Sequence, residues 1–133
     1  MSSRWLLRLA SLMLALGWMA FIYWQSSGPI TLDIPELFPH EDKLLHAVAF
    51  GLLAMFWLGT FPIAEAGYRR RHVLWAIVLA TLYGAFDEWH QSFVPGRTTD
   101  AADLLADAIG AALFAGLMAR VVRMRRKAPL RSG

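Results

Sequence analysis

The run WLLRLASLMLALGWMAFIYW, residues 5–24, carries a single charge, Arg8. A helix of that length reaches about 30 Å at 1.5 Å per residue, the thickness of a bilayer's hydrocarbon core. Three further stretches have the same character. One is LLHAVAFGLLAMFWLGTF, closed by Pro62; one starts at Val73 and meets no charge before Asp87; one runs from about Asp103 to Val122. With 57% of 133 residues hydrophobic, the chain is too apolar for a soluble domain of its size. The fold class is therefore all-α, a four-helix transmembrane bundle with spans at about 5–24, 44–61, 73–92 and 103–122. The whole chain, 1–133, reads as one domain whose last residues, 123–133, form a basic tail. The first span is expected to stay uncleaved, because its apolar core is long for a signal peptide and no clean small-residue cleavage site follows it. Cysteine is absent, which excludes disulfides and thiolate metal sites.

Charge sets the predicted orientation. Arg4 and Arg8 flank the first span, Arg69, Arg70 and Arg71 lie between the second and third, and Arg120, Arg123, Arg125, Arg126, Lys127 and Arg131 follow the fourth. These are 11 of the 13 basic residues. The positive-inside rule then puts both termini in the cytoplasm, with the chain multi-pass in a bacterial inner (cytoplasmic) membrane. Beside a span, the basic tail reads as an orientation signal on anionic lipid, not as a nucleic-acid arm. Arg8, one turn into its span, is expected to snorkel to the cytoplasmic surface. His40 and His72 are expected in solvent, and the tryptophans in interfacial belts or packing.

Acids segregate the other way. All but Glu65 fall at the outer ends or in the outer connections. Solvation accounts for Asp33, Glu36 and Glu41, but not for those at span depth. Counted back from Arg120 at 1.5 Å per residue, Asp103 lies near the outer surface and Asp107 a turn deeper. Asp87, Glu88 and Gln91 occupy the outermost turns of the third span, and His46 the first turn of the second. Carboxylates at that depth belong in the bundle interior or a water-filled cavity. Asp42 with His46, Asp103 with Asp107, and Glu88 with Gln91 are spaced to share helix faces. His90 is offset from that face and is expected at the interface. Pro95 and Gly96 read as the turn ending the third span, Asp100 as an N-cap for the fourth, and Arg97 as lying over the site. Ala108, Ala112 and Gly116 form a small-residue stripe suited to close helix approach.

These residues carry a resemblance. DKLLHAVAF followed by DEWHQSFVPGRTTDAADLLADAIG resembles the VanZ-like family, whose pattern has Asp-Lys-x-x-His opening one span, then Asp-Glu-x-x-Gln-x-Phe-x-Pro-x-Arg, then Asp-x-x-x-Asn-x-x-Gly. The matching positions are Asp42, Lys43 and His46; Asp87, Glu88, Gln91, Phe93, Pro95 and Arg97; and Asp103 and Gly110. Asp107 departs from the pattern, standing where the family usually has Asn. The resemblance implies a four-span membrane protein connected with the cell envelope and with resistance to the glycopeptide teicoplanin. It brings no settled reaction.

Three readings stay open on the residues themselves. In the first, the protein is an enzyme for a lipid-linked or anionic envelope substrate (glycan, phospholipid or glycopeptide). His46, Glu88, Asp103 and Asp107 are then the catalytic candidates, and Lys43, Gln91 and Arg97 bind substrate. Asp42, Glu88, Asp103 and Asp107 are the candidate oxygen ligands for a divalent cation. In the second, the same cavity belongs to a non-enzymatic binding or accessory protein. In the third, the charges only fix helix register, Arg97 pairing with Glu88 or Asp103 and Lys43 with Asp42. No nucleotide-binding glycine loop is present, and Ser92 lacks the surroundings of a nucleophile elbow.

The orientation is directly testable. A reporter active only outside the cytoplasm, fused near Gly28, Gly67, Thr98 or the C-terminus, should be active at the first and third positions alone. Activity at Gly67 would overturn the topology.

Overall fold

The computed structural model describes residues 3–28 and 39–127. Among the described residues the fold has four helices: α1 (Ser3–Ser27), α2 (Glu41–Thr60), α3 (Arg70–Gln91) and α4 (Ala101–Lys127). Asp33, Glu36 and Arg131 lie outside the described residues. Three helices, α1, α2 and α4, are long and apolar enough to cross a membrane. The 22 residues of α3 match them in length, but arginines open this helix and Asp87 and Glu88 occupy its last turns. Each helix starts before its predicted span; α2 and α3 end one residue short of theirs, and α4 continues through the first five residues of the basic tail.

Local chemistry sets the ends. Phe61 is extended, as a residue before proline must be, and α2 stops at Thr60. The guanidinium of Arg8 donates from Nε to the Thr60 carbonyl at 2.7 Å, so it caps α2 across the bundle instead of only reaching for the surface. Beyond α3, Arg97 N–H donates to the Val94 carbonyl at 3.1 Å. Pro95 and Gly96 (φ 81°) are the central residues, the pattern of a type II turn. Asp100 then caps α4, its Oδ1 accepting from Ala102 N–H at 2.8 Å.

Polarity is inverted relative to a soluble protein. Leu113 is 64% exposed, and leucines such as Leu7, Leu45, Leu74 and Leu82 also face outward, while Asp107 is 0% exposed. Only a hydrocarbon surround makes that distribution favourable. His72, expected in solvent, is buried against Phe61 (ring centroids 5.0 Å), because the connection after α2 folds back over the start of α3.

The most extensive contact in the bundle joins α2 to α4. A Cβ on Gly110 would collide with the Ala47 backbone, and one on Gly51 would sit 2.6 Å from the Phe114 ring. Backbone therefore meets backbone here, as small residues permit between membrane helices. The buried face of α4 is Asp103, Asp107, Gly110, Ala111 and Ala115. The expected stripe is thus displaced. Ala112 and Gly116 are exposed, because the helix turns its acids inward and the small residues in line with them follow. Helix α1 is more peripheral, tied by Trp18 Nε1 to the Ala49 carbonyl (2.8 Å) and by its Met19 carbonyl to the Tyr83 hydroxyl (2.7 Å).

Gly110→Leu should separate α2 from α4 and lower unfolding stability by about 2–3 kcal/mol, the range of overpacking effects. Gly17→Ala, where an added Cβ meets nothing within 4 Å, should be neutral or slightly stabilising. Thermal unfolding in detergent reads both. An undisturbed Gly110→Leu protein would contradict the packing.

Candidate functional site at the acidic end of the bundle

Antiparallel packing brings the start of α2, the end of α3 and the start of α4 to one end of the bundle. Lys43 stands at its rim. Its ammonium donates to Asp103 Oδ1 at 2.6 Å, Asp42 Oδ2 at 2.7 Å and Asp100 Oδ2 at 2.8 Å. An ammonium has three protons, and all three are engaged. The Lys43 hydrogen bond, helped by Ala102 N–H, holds the Asp100 carboxyl below its ordinary value of 3.8.

One turn deeper, His46 faces α4. Its Nδ1 lies 2.9 Å from Asp107 Oδ1, and its Nε2 is 3.8 Å from Asp103 Oδ2. Phe50, buried a turn below, lies nearly parallel to the imidazole with centroids 6.1 Å apart. Asp107 fits because α3 offers no side chain at Gly84, where a Cβ would sit 2.5 Å from Asp107 Oδ2. Glu88 Oε2 accepts from the Asp100 N–H at 3.1 Å. Two oxygens in this cluster, Glu88 Oε1 and Asp107 Oδ2, are buried without a hydrogen-bond partner. Ligand-capable atoms of His46, Glu88 and Asp103 all lie within 4.8 Å of one another.

The predicted residues thus converge, in two subsets. His46, Glu88, Asp103 and Asp107 form the buried cluster, with Lys43 at its rim. Gln91 is also buried, but donates to Asp87 Oδ2 at 3.0 Å and not to Glu88. Asp42, half exposed and held by Lys43, is not among the three grouped ligands. Arg97 pairs with neither Glu88 nor Asp103. Its Nε donates to the Gly28 carbonyl at 3.2 Å and its Nη2 to the Gln25 carbonyl at 2.9 Å, capping the end of α1. His90 stacks on Tyr23 (4.5 Å) and lies 3.0 Å from Ser27 Oγ, away from the cluster as its offset implied. Two acids went unassigned in the sequence reading of the site: Asp87, whose i, i+4 spacing to Gln91 was visible, and Asp100, read only as a cap.

Beside the cluster, a groove of about 460 Å³ lies among α1, α2 and α3. Asp42, His46, Asp87, Gln91 and Arg97 make its polar end, and Trp18, Phe21, Ile22, Leu45 and Val48 its apolar wall. His46 belongs to both, with one edge on Asp107 and its face on the groove wall. The volume falls within the range of about 300–1,000 Å³ usual for small-molecule sites.

These features define an integral-membrane helical bundle with a buried carboxylate–histidine cluster at one end. The chain belongs to the VanZ/LLP1 family, whose model matches residues 10–123. No curated protein and no solved structure matches it significantly.

Asp100 gives the clamp a pH signature. Its carboxyl is depressed in the folded state, so its contribution is complete above the ordinary value of 3.8 and disappears as pH falls through the lower folded value. The clamp's contribution to unfolding temperature should hold from neutral pH to about 4 and then be lost. Lys43→Met should unfold at lower temperature at neutral pH and show a flatter acid limb. An unchanged acid limb in that variant would contradict the clamp.

Proposed function

We propose that this protein is a membrane enzyme of the cell envelope. It draws a lipid-linked, anionic substrate sideways from the bilayer to a divalent cation held by His46, Glu88 and Asp103. The observation that carries the reading is the buried, partnerless oxygen of Glu88 within an uncompensated cluster. Six carboxylates, of Asp42, Asp87, Glu88, Asp100, Asp103 and Asp107, gather at this end of the bundle; the Lys43 ammonium engages Asp42, Asp100 and Asp103, and among the described residues no ammonium or guanidinium engages Asp87, Glu88 or Asp107. Like charges so close in a low-dielectric site cannot all stay ionised without protons or a bound cation.

The donor set favours a cation. Two ligands at about 2.1 Å from one ion stand at most about 4.2 Å apart, so groups within 4.8 Å need only a slight contraction. One imidazole and two carboxylates suit Mn²⁺ or Zn²⁺. Asp107 on Nδ1 fixes the His46 ring and raises the basicity of Nε2, the usual carboxylate–histidine support of a metal site. That gives the departure from Asn at this position a chemical sense, since a carboxylate strengthens its imidazole more than an amide does. Such a cation would polarise a phosphoryl or carbonyl oxygen of the substrate.

The chain's own residues divide the remaining work. Arg97, with Nη1 unpartnered among the described residues, stands at the polar end of the groove to meet an anionic headgroup. Asp87 fixes Gln91 to present an amide beside it. Lys43, proposed from sequence to bind substrate, has no proton left to offer and is better suited to docking α2 on the start of α4. The groove supports a lipid-linked substrate, because its apolar wall continues to the membrane-facing surface while its other end is polar. The positive-inside charge pattern supports a site at the outer face of the cytoplasmic membrane. Glycopeptide resistance is one phenotype such an activity would produce.

Isothermal titration of the full-length protein with Mn²⁺ should show one site. Asp107→Asn should weaken it by about 10–100-fold, as loss of ligand support does. Glu88→Gln and Asp103→Asn should weaken it further, with helical content and unfolding temperature retained. Undiminished binding in both, or collapse of the fold in both, would leave the cluster a structural network.

A further inference from the structure

At the opposite end of the bundle, a groove of about 760 Å³ lies between the start of α3 and the end of α4. Arg70 lines it from α3, and Arg120, Arg123 and Lys127 from α4; no acid does. The three α4 cations are three and four residues apart in succession, so they share a helix face. No ion pair engages any of the four among the described residues. Deeper in, the lining changes to Val73, Leu74 and Gly116. Lys127 and Gly116 are separated by about 16 Å along the helix, so the groove runs from the basic surface well into the hydrocarbon. Its inner part is open because Gly116 presents no side chain and nothing lies within 4 Å of where a Cβ would be.

We propose that this groove is a binding site for one anionic phospholipid of the leaflet at the basic end. The phosphate lies among the arginines and Lys127, and an acyl chain runs along Leu74 and Gly116. Charge complementarity decides the headgroup, since four cations without a counter-acid favour a net negative ligand over a zwitterion. The apolar inner half decides the class. A soluble phosphate would satisfy the cations but make no use of the inner half of the groove, along Leu74 and Gly116. A phospholipid covers both. On the orientation the charges predict, this leaflet is the cytoplasmic one, where anionic lipids meet basic pockets between membrane helices. The proposal does not depend on the acidic-end site, which lies at the other end of every helix.

Native mass spectrometry of the full-length protein in detergent tests it, with phosphatidylglycerol and phosphatidylcholine of identical chains. Phosphatidylglycerol should be retained and phosphatidylcholine lost. Replacing Arg120 and Arg123 together by Gln should weaken retention about 30-fold, roughly fivefold per cation at a membrane surface. Gly116→Leu leaves charge and topology signals untouched and has room to fold, yet fills the acyl channel. It should weaken retention by about tenfold. Millimolar inorganic phosphate should not displace the lipid. Equal retention of phosphatidylcholine, wild-type retention by Gly116→Leu, or displacement by phosphate would each overturn the proposal. Mn²⁺ titration of the Gly116→Leu protein should be unchanged, which separates this site's failure from that of the acidic end.

Discussion

The approach of α2 to α4 governs the rest of the molecule. It is closed where Gly110 lies against the Ala47 backbone. One turn outward from that contact, His46 meets Asp107; at the rim, Lys43 meets Asp103 and Asp100. A larger residue at the contact would move the two helices apart, and hydrogen bonds of 2.6–2.9 Å at its outer end would be lost together. Hydrocarbon supplies no hydrophobic drive for helices to associate, so close packing and polar bonds between helices must do so. In this bundle the two coincide on the same pair of helices.

Inverted polarity follows from the same cause. Buried acids are expensive in any protein, and in a bilayer they are tolerable only in the interior or in water. Here they occupy the interior near one end, where Lys43, His46 and backbone N–H groups meet them. Their partial neutralisation turns a packing arrangement into a candidate site. Arg97 ties the α1 end to the connection before α4, and the groove among α1, α2 and α3 leads past it. Peripheral attachment of α1 therefore gives one wall of the proposed entry route to the least tightly held helix.

Much of this was legible in the residues. Apolar run lengths gave four helices, and depth counting brought His46, Glu88, Asp103 and Asp107 to one level. Spacing could not choose the packing face of α4. That helix is rich in alanine and glycine on several sides, so Ala108–Ala112–Gly116 and Gly110–Ala111–Ala115 look equally suitable until the acids are turned inward. The partners of Arg97 and Arg8 were also hidden, because both donate to carbonyl groups at helix ends, and backbone acceptors leave no side-chain signature. Asp87 and Glu88 are adjacent and chemically alike, so Gln91 had two acids to choose between. The i, i+4 partner, Asp87, holds it.

On the proposed reading, one cation completes the cluster of His46, Glu88 and Asp103. Anomalous diffraction from crystals grown with Mn²⁺ tests it most directly. A single strong peak is expected at coordination distance from His46 Nε2 and from one oxygen each of Glu88 and Asp103, with Asp107 remaining on His46 Nδ1. A well-ordered cluster with no peak, its Glu88 and Asp103 carboxyl groups approaching each other as if sharing a proton, would contradict it.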